Sequence, residues 1–159
     1  MIKLAKTTKT QAQTQDDKVV AALNQHVADF TVLYTKLHNF HWYVKGPTFF
    51  ALHTKFEELY TQAGAYVDEL AERILAIGGN PVATLKESLD LSVVKEAKKN
   101  LSAEEMVADL SADFDKEIAQ LKESQETAEK AGDEMTADML LGMITELEKH
   151  NWMLKSYLG

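Results

Sequence analysis

The chain contains no cysteine. Disulfides, thiol catalysis, iron–sulfur clusters and cysteine-type zinc sites are therefore excluded together. Only 2 prolines and 7 glycines occur among 159 residues, so turns are few and elements are long. No apolar run approaches the roughly 18 residues that a membrane span needs. The N-terminus lacks the apolar stretch of a secretory leader. The expectation is a cytoplasmic protein with no membrane partner. What is present is ordinary for one globular domain: 45% apolar and 26% charged residues. Metal chemistry, if any, must use His, Asp and Glu, which suit iron, manganese or zinc.

The net charge of -8 is unevenly spread. Lys3, Lys6, Lys9 and Lys18 outnumber Asp16 and Asp17 in the first eighteen residues, and everything after them is strongly acidic. An acidic body repels nucleic acid and attracts cations, so only the leading segment suits a polyanion. Residues 1–16, rich in Lys, Thr and Gln, read as a flexible tail before a domain over 17–159.

From about residue 17 apolar residues recur at steps of three or four: Leu23, Val27, Phe30, Tyr34, Leu37 and then His41. This first helix stops at Lys45-Gly46-Pro47. Leu52, Phe56, Leu59, Ala63, Val67, Leu70, Ile74 and Ile77 mark a second helix, which ends at Gly78-Gly79-Asn80-Pro81. Residues 82–100 hold a short helix within a long connection. Ser102 and Glu105 form a capping box that opens a third long helix. Met135, Met139, Met143, Leu147 and Leu154 mark a fourth, with the three methionines read as core. The predicted architecture is all-α: a four-helix bundle with a short extra helix in the crossover between helices two and three. That long crossover is a feature of ferritin-like folds.

The second helix carries His53 and Glu57, and further on Asp68 and Glu72. Each pair is spaced i, i+4, so its members are neighbours on one face. The outermost two lie about 28 Å apart along the axis, too far for one metal. Residues 53 and 72, like 57 and 68, share a midpoint between Gln62 and Ala63. Two antiparallel copies about a two-fold axis there would set His53 against Glu72 of the partner subunit. Glu57 would meet Asp68 of the partner subunit, giving two equivalent sites built from both chains. Ala63, Gly64 and Ala65 are small enough to let the helices approach. Spacing alone leaves a second reading open: a solvated face with ion pairs such as Glu69–Arg73. No Glu-x-x-His pair occurs, which argues against a di-iron centre within one chain.

The stretch from His38 to Pro47 (HNFHWYVKGP), followed by Phe49-Phe50-Ala51-Leu52-His53, resembles one family. So do Val67 to Ile74 with Gly78-Gly79-Asn80-Pro81, the segment around Gly132, and His150-x-Trp152. The family is Dps, the mini-ferritins called DNA-binding proteins from starved cells. The resemblance implies a shell of twelve subunits that oxidises Fe(II) to Fe(III), with hydrogen peroxide or oxygen, and stores the ferric mineral while protecting DNA. It implies a dinuclear centre at the two-fold interface, with His41, Asp68 and Glu72 from one subunit and His53 and Glu57 from its mate. Position 57 is commonly Asp in the family, so Glu57 is a departure. Zinc and manganese are candidate competitors for the site. Trp42 and Trp152 are implied electron donors, with core packing as the other reading. Glu134 and Asp138 match the acidic pores, with Glu129 or Asp133 as further candidates, although acids also suit the start of a helix. His38, one turn before His41, reads as a structural residue, with support of the centre as the other reading, while His26 and His150 read as packing or surface residues. Lys3, Lys6, Lys9 and Lys18 suit non-specific phosphate contact. The alternative function is chiefly that of a nucleoid DNA-binding protein, with the metal site secondary.

Overall fold

The computed structural model describes residues 2–159, with side chains from Gln15 onward. The elements are α1 (Ile2–Tyr43), α2 (Phe49–Ala76), α3 (Leu85–Leu91), α4 (Ala103–Ala131) and α5 (Glu134–Leu158). No strand occurs among the described residues. Helices α1 and α2 pack as one hairpin and α4 and α5 as another; α1 also packs against α4 and α3. The long connection around α3 crosses the bundle, as its length in sequence requires. Among the described residues no helix is long and apolar enough to cross a membrane.

Each long helix turns its apolar stripe inward. On α1, Phe30, Leu33, Leu37 and Phe40 recur at three- and four-residue steps and are almost fully buried. They meet Phe56, Leu70 and Ile74 of α2, with Leu110 and Leu121 of α4 and Leu140 of α5 in the same core. Each such side chain contributes roughly 1.5–3 kcal/mol through burial. The ends are set by local chemistry. Ser102 caps α4 in the expected box with Glu105, and Thr84 caps α3 in the same way with Glu87. Gly46 and Gly132 adopt positive φ (104° and 75°) where α1 and α4 give way to their successors.

Two expectations differ from the structure. Helix α1 begins at Ile2 rather than near residue 17. Its first turns have no apolar period to read, but Ala, Lys and Gln are good helix formers and simply extend the helix. The second difference concerns the methionines. Met143 is buried, yet Met135 is 72% exposed, because the first turn of α5 presents it away from the Ala137–Leu140–Ile144 face.

Candidate metal centre

The short link between α1 and α2 brings the last turn of one helix against the first turns of the next. His41 and His53 meet there. The Nδ1 of His41 donates to the carbonyl of His53 at 2.7 Å, and the Nδ1 of His53 donates to the carbonyl of His41 at 2.8 Å. The two rings stack with centroids 3.6 Å apart and planes 16° apart. A carbonyl oxygen only accepts, so each Nδ1 must carry the hydrogen. In the neutral ring this leaves each Nε2 with a free lone pair, which is how bonding at the second nitrogen orients a metal-binding histidine. Phe49 stacks on His53 at 4.9 Å, and Tyr60 stands edge-on to His41 at 5.3 Å. His38 stacks on Tyr60 at 3.7 Å. This aromatic packing leaves the imidazoles little freedom to turn. Tyr60 escaped the sequence reading; its only signal was its place two turns after His53.

The carboxylates lie along one exposed face of α2. Glu57, Thr61, Ala65, Asp68 and Glu72 are all exposed, at steps of three or four residues. The ion-pair explanation of this face does not hold. Arg73 turns away from Glu69 and instead bonds Asp133 at 2.7 Å and the Thr136 hydroxyl at 2.9 Å. Lys55 pairs with Glu58, beside the stripe rather than on it. The small-residue argument survives in part. Ala63 is buried in its own core, and a side chain at Gly64 would meet the ring of Tyr34 at 3.1 Å. Ala65 alone of the three is exposed, at the middle of the stripe.

One protomer therefore holds two separate donor groups. His41 at the end of α1 joins His53 and Glu57 at the beginning of α2, and Asp68 and Glu72 lie three to four turns further along α2. The resemblance implies His41 and His53 from opposite subunits; within one chain the two rings are already stacked on each other.

The remaining residues are placed as follows. Trp42 is 68% exposed and Trp152 66% exposed, so neither packs in the protomer core. The ring of Trp42 lies 5.2 Å from that of His38. His150 is buried and accepts a hydrogen bond from Lys55 at 3.0 Å. Burial, with help from Lys55, holds its pKa below the ordinary value. Glu134 and Asp138 are exposed on the first turns of α5, whereas Asp133 caps that helix. Burial pushes the Asp133 carboxyl up, but Thr136 and Arg73 outweigh it and hold the group below its usual range. Lys18 is exposed, and the side chains of Lys3, Lys6 and Lys9 lie outside the described residues.

A family model for the ferritin-like domain matches residues 20–159. "DNA protection during starvation protein 2" of Bacillus anthracis is 57% identical over 142 residues, covering 89% of this chain and 97% of that protein. The chain belongs to the Dps family. The crystal structure of Dps from Staphylococcus aureus is similar with a TM-score of 0.88 at 64% identity, covering 89% of this chain and 95% of that one. A Dps protein from Vibrio cholerae O1, described as a member of a broad superfamily of ferritin-like diiron-carboxylate proteins, reaches a TM-score of 0.88 at 35% identity, covering 92% of each chain. This Dps chain thus has the ferritin-like bundle, with the extra crossover helix at Leu85–Leu91.

Proposed function

We propose that this Dps protein oxidises Fe(II) and stores the ferric product, at a centre completed only when two subunits pair. The observation that carries the reading is the reciprocal His41–His53 arrangement, with both Nε2 atoms free, at one end of an exposed carboxylate stripe. His41, His53 and Glu57 of one subunit face Asp68 and Glu72 of the partner subunit across a two-fold axis near the middle of α2. The donor set is two imidazoles and three carboxylates, which suits ferrous iron and leaves zinc and manganese as competitors. Carboxylate oxygens favour the harder Fe(III), so they assist loss of the electron. With peroxide as oxidant, two Fe(II) each give one electron, the O–O bond breaks, and two protons complete two waters. No hydroxyl radical is released when both electrons arrive together, which protects nearby DNA. The relative from Bacillus anthracis is named for DNA protection, in keeping with this role.

The protein's own groups have distinct tasks in this scheme. The backbone carbonyls of residues 41 and 53 hold the imidazole tautomers. Trp42 and Tyr60 would supply an electron when only one iron is present. Glu134 and Asp138, exposed on α5, would line the entry route in a shell of twelve. The leading lysines add non-specific contact to phosphate, strengthened by twelvefold display. The test is peroxide-driven Fe(II) oxidation by wild type and by the His41→Ala/His53→Ala double variant. The proposal expects loss of the fast phase. An unchanged rate in a properly assembled variant would overturn it. Sedimentation should give about 214 kDa, twelve times the 17.8 kDa chain.

A further inference from the structure

A second group of metal-type donors lies away from the subunit seam, inside the bundle. His26 and Asp29 of α1 meet Glu117 of α4, and all three are fully or almost fully buried. Their ligand atoms lie within 4.8 Å of one another. The Nδ1 of His26 stands 2.6 Å from Glu117 Oε1. We propose that His26, Asp29 and Glu117 form a cation site within one protomer, which takes a single divalent first-row transition ion.

Three features support this. The first is the supporting shell. The other nitrogen of His26, Nε2, is 2.7 Å from the Ser124 hydroxyl, which can accept its hydrogen and so leaves Nδ1 as the donor atom facing the acids. Asp29 is oriented by the Ser92 hydroxyl at 2.6 Å, the Val93 amide at 2.8 Å and Gln25 at 2.9 Å. The second is Glu117 Oε2, which is buried and has no hydrogen-bond partner. A dry carboxylate oxygen left bare is costly, and a cation bound among these donors removes the cost. The third is charge. Two carboxylates and a single imidazole converge in a buried site with no other basic side chain among the three. Burial pushes the Glu117 carboxyl up, against the pull of His26, and the nearness of Asp29 adds to the push.

The donor chemistry selects the ion class. An imidazole with two carboxylates matches zinc, manganese or ferrous iron. Magnesium would keep several waters, and calcium would need six or more oxygens, so a closed site of this size suits neither. A transition ion replacing the proton between His26 and Glu117 would widen their contact to about 3.3 Å, a shift of well under one ångström. It would bind α1 to α4 and, through Asp29, fix the crossover at Ser92–Val94. The ion must enter while the chain folds or while that crossover lifts, so loading belongs to expression rather than to brief soaking.

The test uses Zn(II) and the full chain. Wild type and Glu117→Gln are produced in zinc-supplemented medium, dialysed, crystallised and measured on both sides of the zinc absorption edge. The expected result is an anomalous peak among His26, Asp29 and Glu117 in wild type, resolved from any zinc at the seam. The variant should lack that peak and hold one zinc fewer per chain by elemental analysis. If wild type with zinc at the seam shows none between α1 and α4, the group is a proton-sharing pair and the proposal fails. The wild-type map decides the matter even if the variant does not fold.

Discussion

If each centre draws on two chains, two dead variants should revive one another when they assemble together. Take one variant with His41→Ala and His53→Ala, and a second with Asp68→Ala and Glu72→Ala. Assembled alone, neither has an intact site. In a mixed dimer, the second variant supplies both imidazoles and the first supplies both acids, so one of the two sites is whole. Random mixing makes about half of the dimers mixed, and half of the sites in those are intact, so about one quarter of wild-type fast-phase activity should return. The stacked pair permits a sharper version. Because His41 and His53 lie 3.6 Å apart in one chain, a mixture of His41→Ala with His53→Ala should recover nothing. If the two imidazoles came from opposite subunits, that mixture would also return about one quarter. The assay is stopped-flow Fe(II) oxidation with peroxide, after unfolding and joint reassembly. Recovery in the second mixture, or none in the first, would refute the division of donors.

Other consequences concern stability and the leading segment. Lys36 is buried between Asp109 at 2.7 Å and Asp113 at 2.6 Å, and burial pushes the Asp113 carboxyl up. Lys36→Ala leaves two acids facing each other and should cost on the order of 3 kcal/mol in urea unfolding; a cost near zero contradicts the pairing. Ser102→Ala removes the α4 cap and should cost about 1 kcal/mol, whereas Ser102→Asp should cost little. Asp133 is held below its usual pKa by Thr136 and Arg73, against its burial. Its stabilisation is therefore complete above the unfolded value near 3.8 and is lost as pH falls through the lower folded value. In Asp133→Asn the acid-side loss should be smaller than in wild type; identical slopes would oppose the assignment. Deleting residues 1–10 should abolish a DNA gel shift, and the full chain's binding should weaken steeply with salt. Binding that survives both changes would remove the tail from that role.

The bundle was legible because its helices carry long apolar stripes and explicit stop signals. Leu23 to Phe40 and Leu52 to Ile74 could hardly pack in another way. The Ser102 box and the turn at Gly46-Pro47 were equally plain. The start of α1 was hidden because its early residues form helix without an apolar period. Met135 misled because a four-residue step does not say which face a terminal turn presents. Spacing on α2 related His53 and Glu57 to Asp68 and Glu72, but it could not find His41. That residue joins the group through the α1–α2 connection, and only a resemblance named it beforehand. The mutual carbonyl contacts of His41 and His53 leave no trace in sequence, because backbone atoms make them. Glu117 was equally hidden: an acid within a helix looks solvated until α1 covers it with His26 and Asp29.

The most direct measurement is anomalous diffraction at the iron edge on crystals of the assembled protein loaded with Fe(II) under exclusion of oxygen. Iron should lie between paired α2 helices, bonded through the Nε2 atoms of His41 and His53 from one chain and reached by Asp68 and Glu72 of the partner subunit. A fully loaded crystal with no iron at that seam, or with iron held by the donors of one chain alone, would contradict the account.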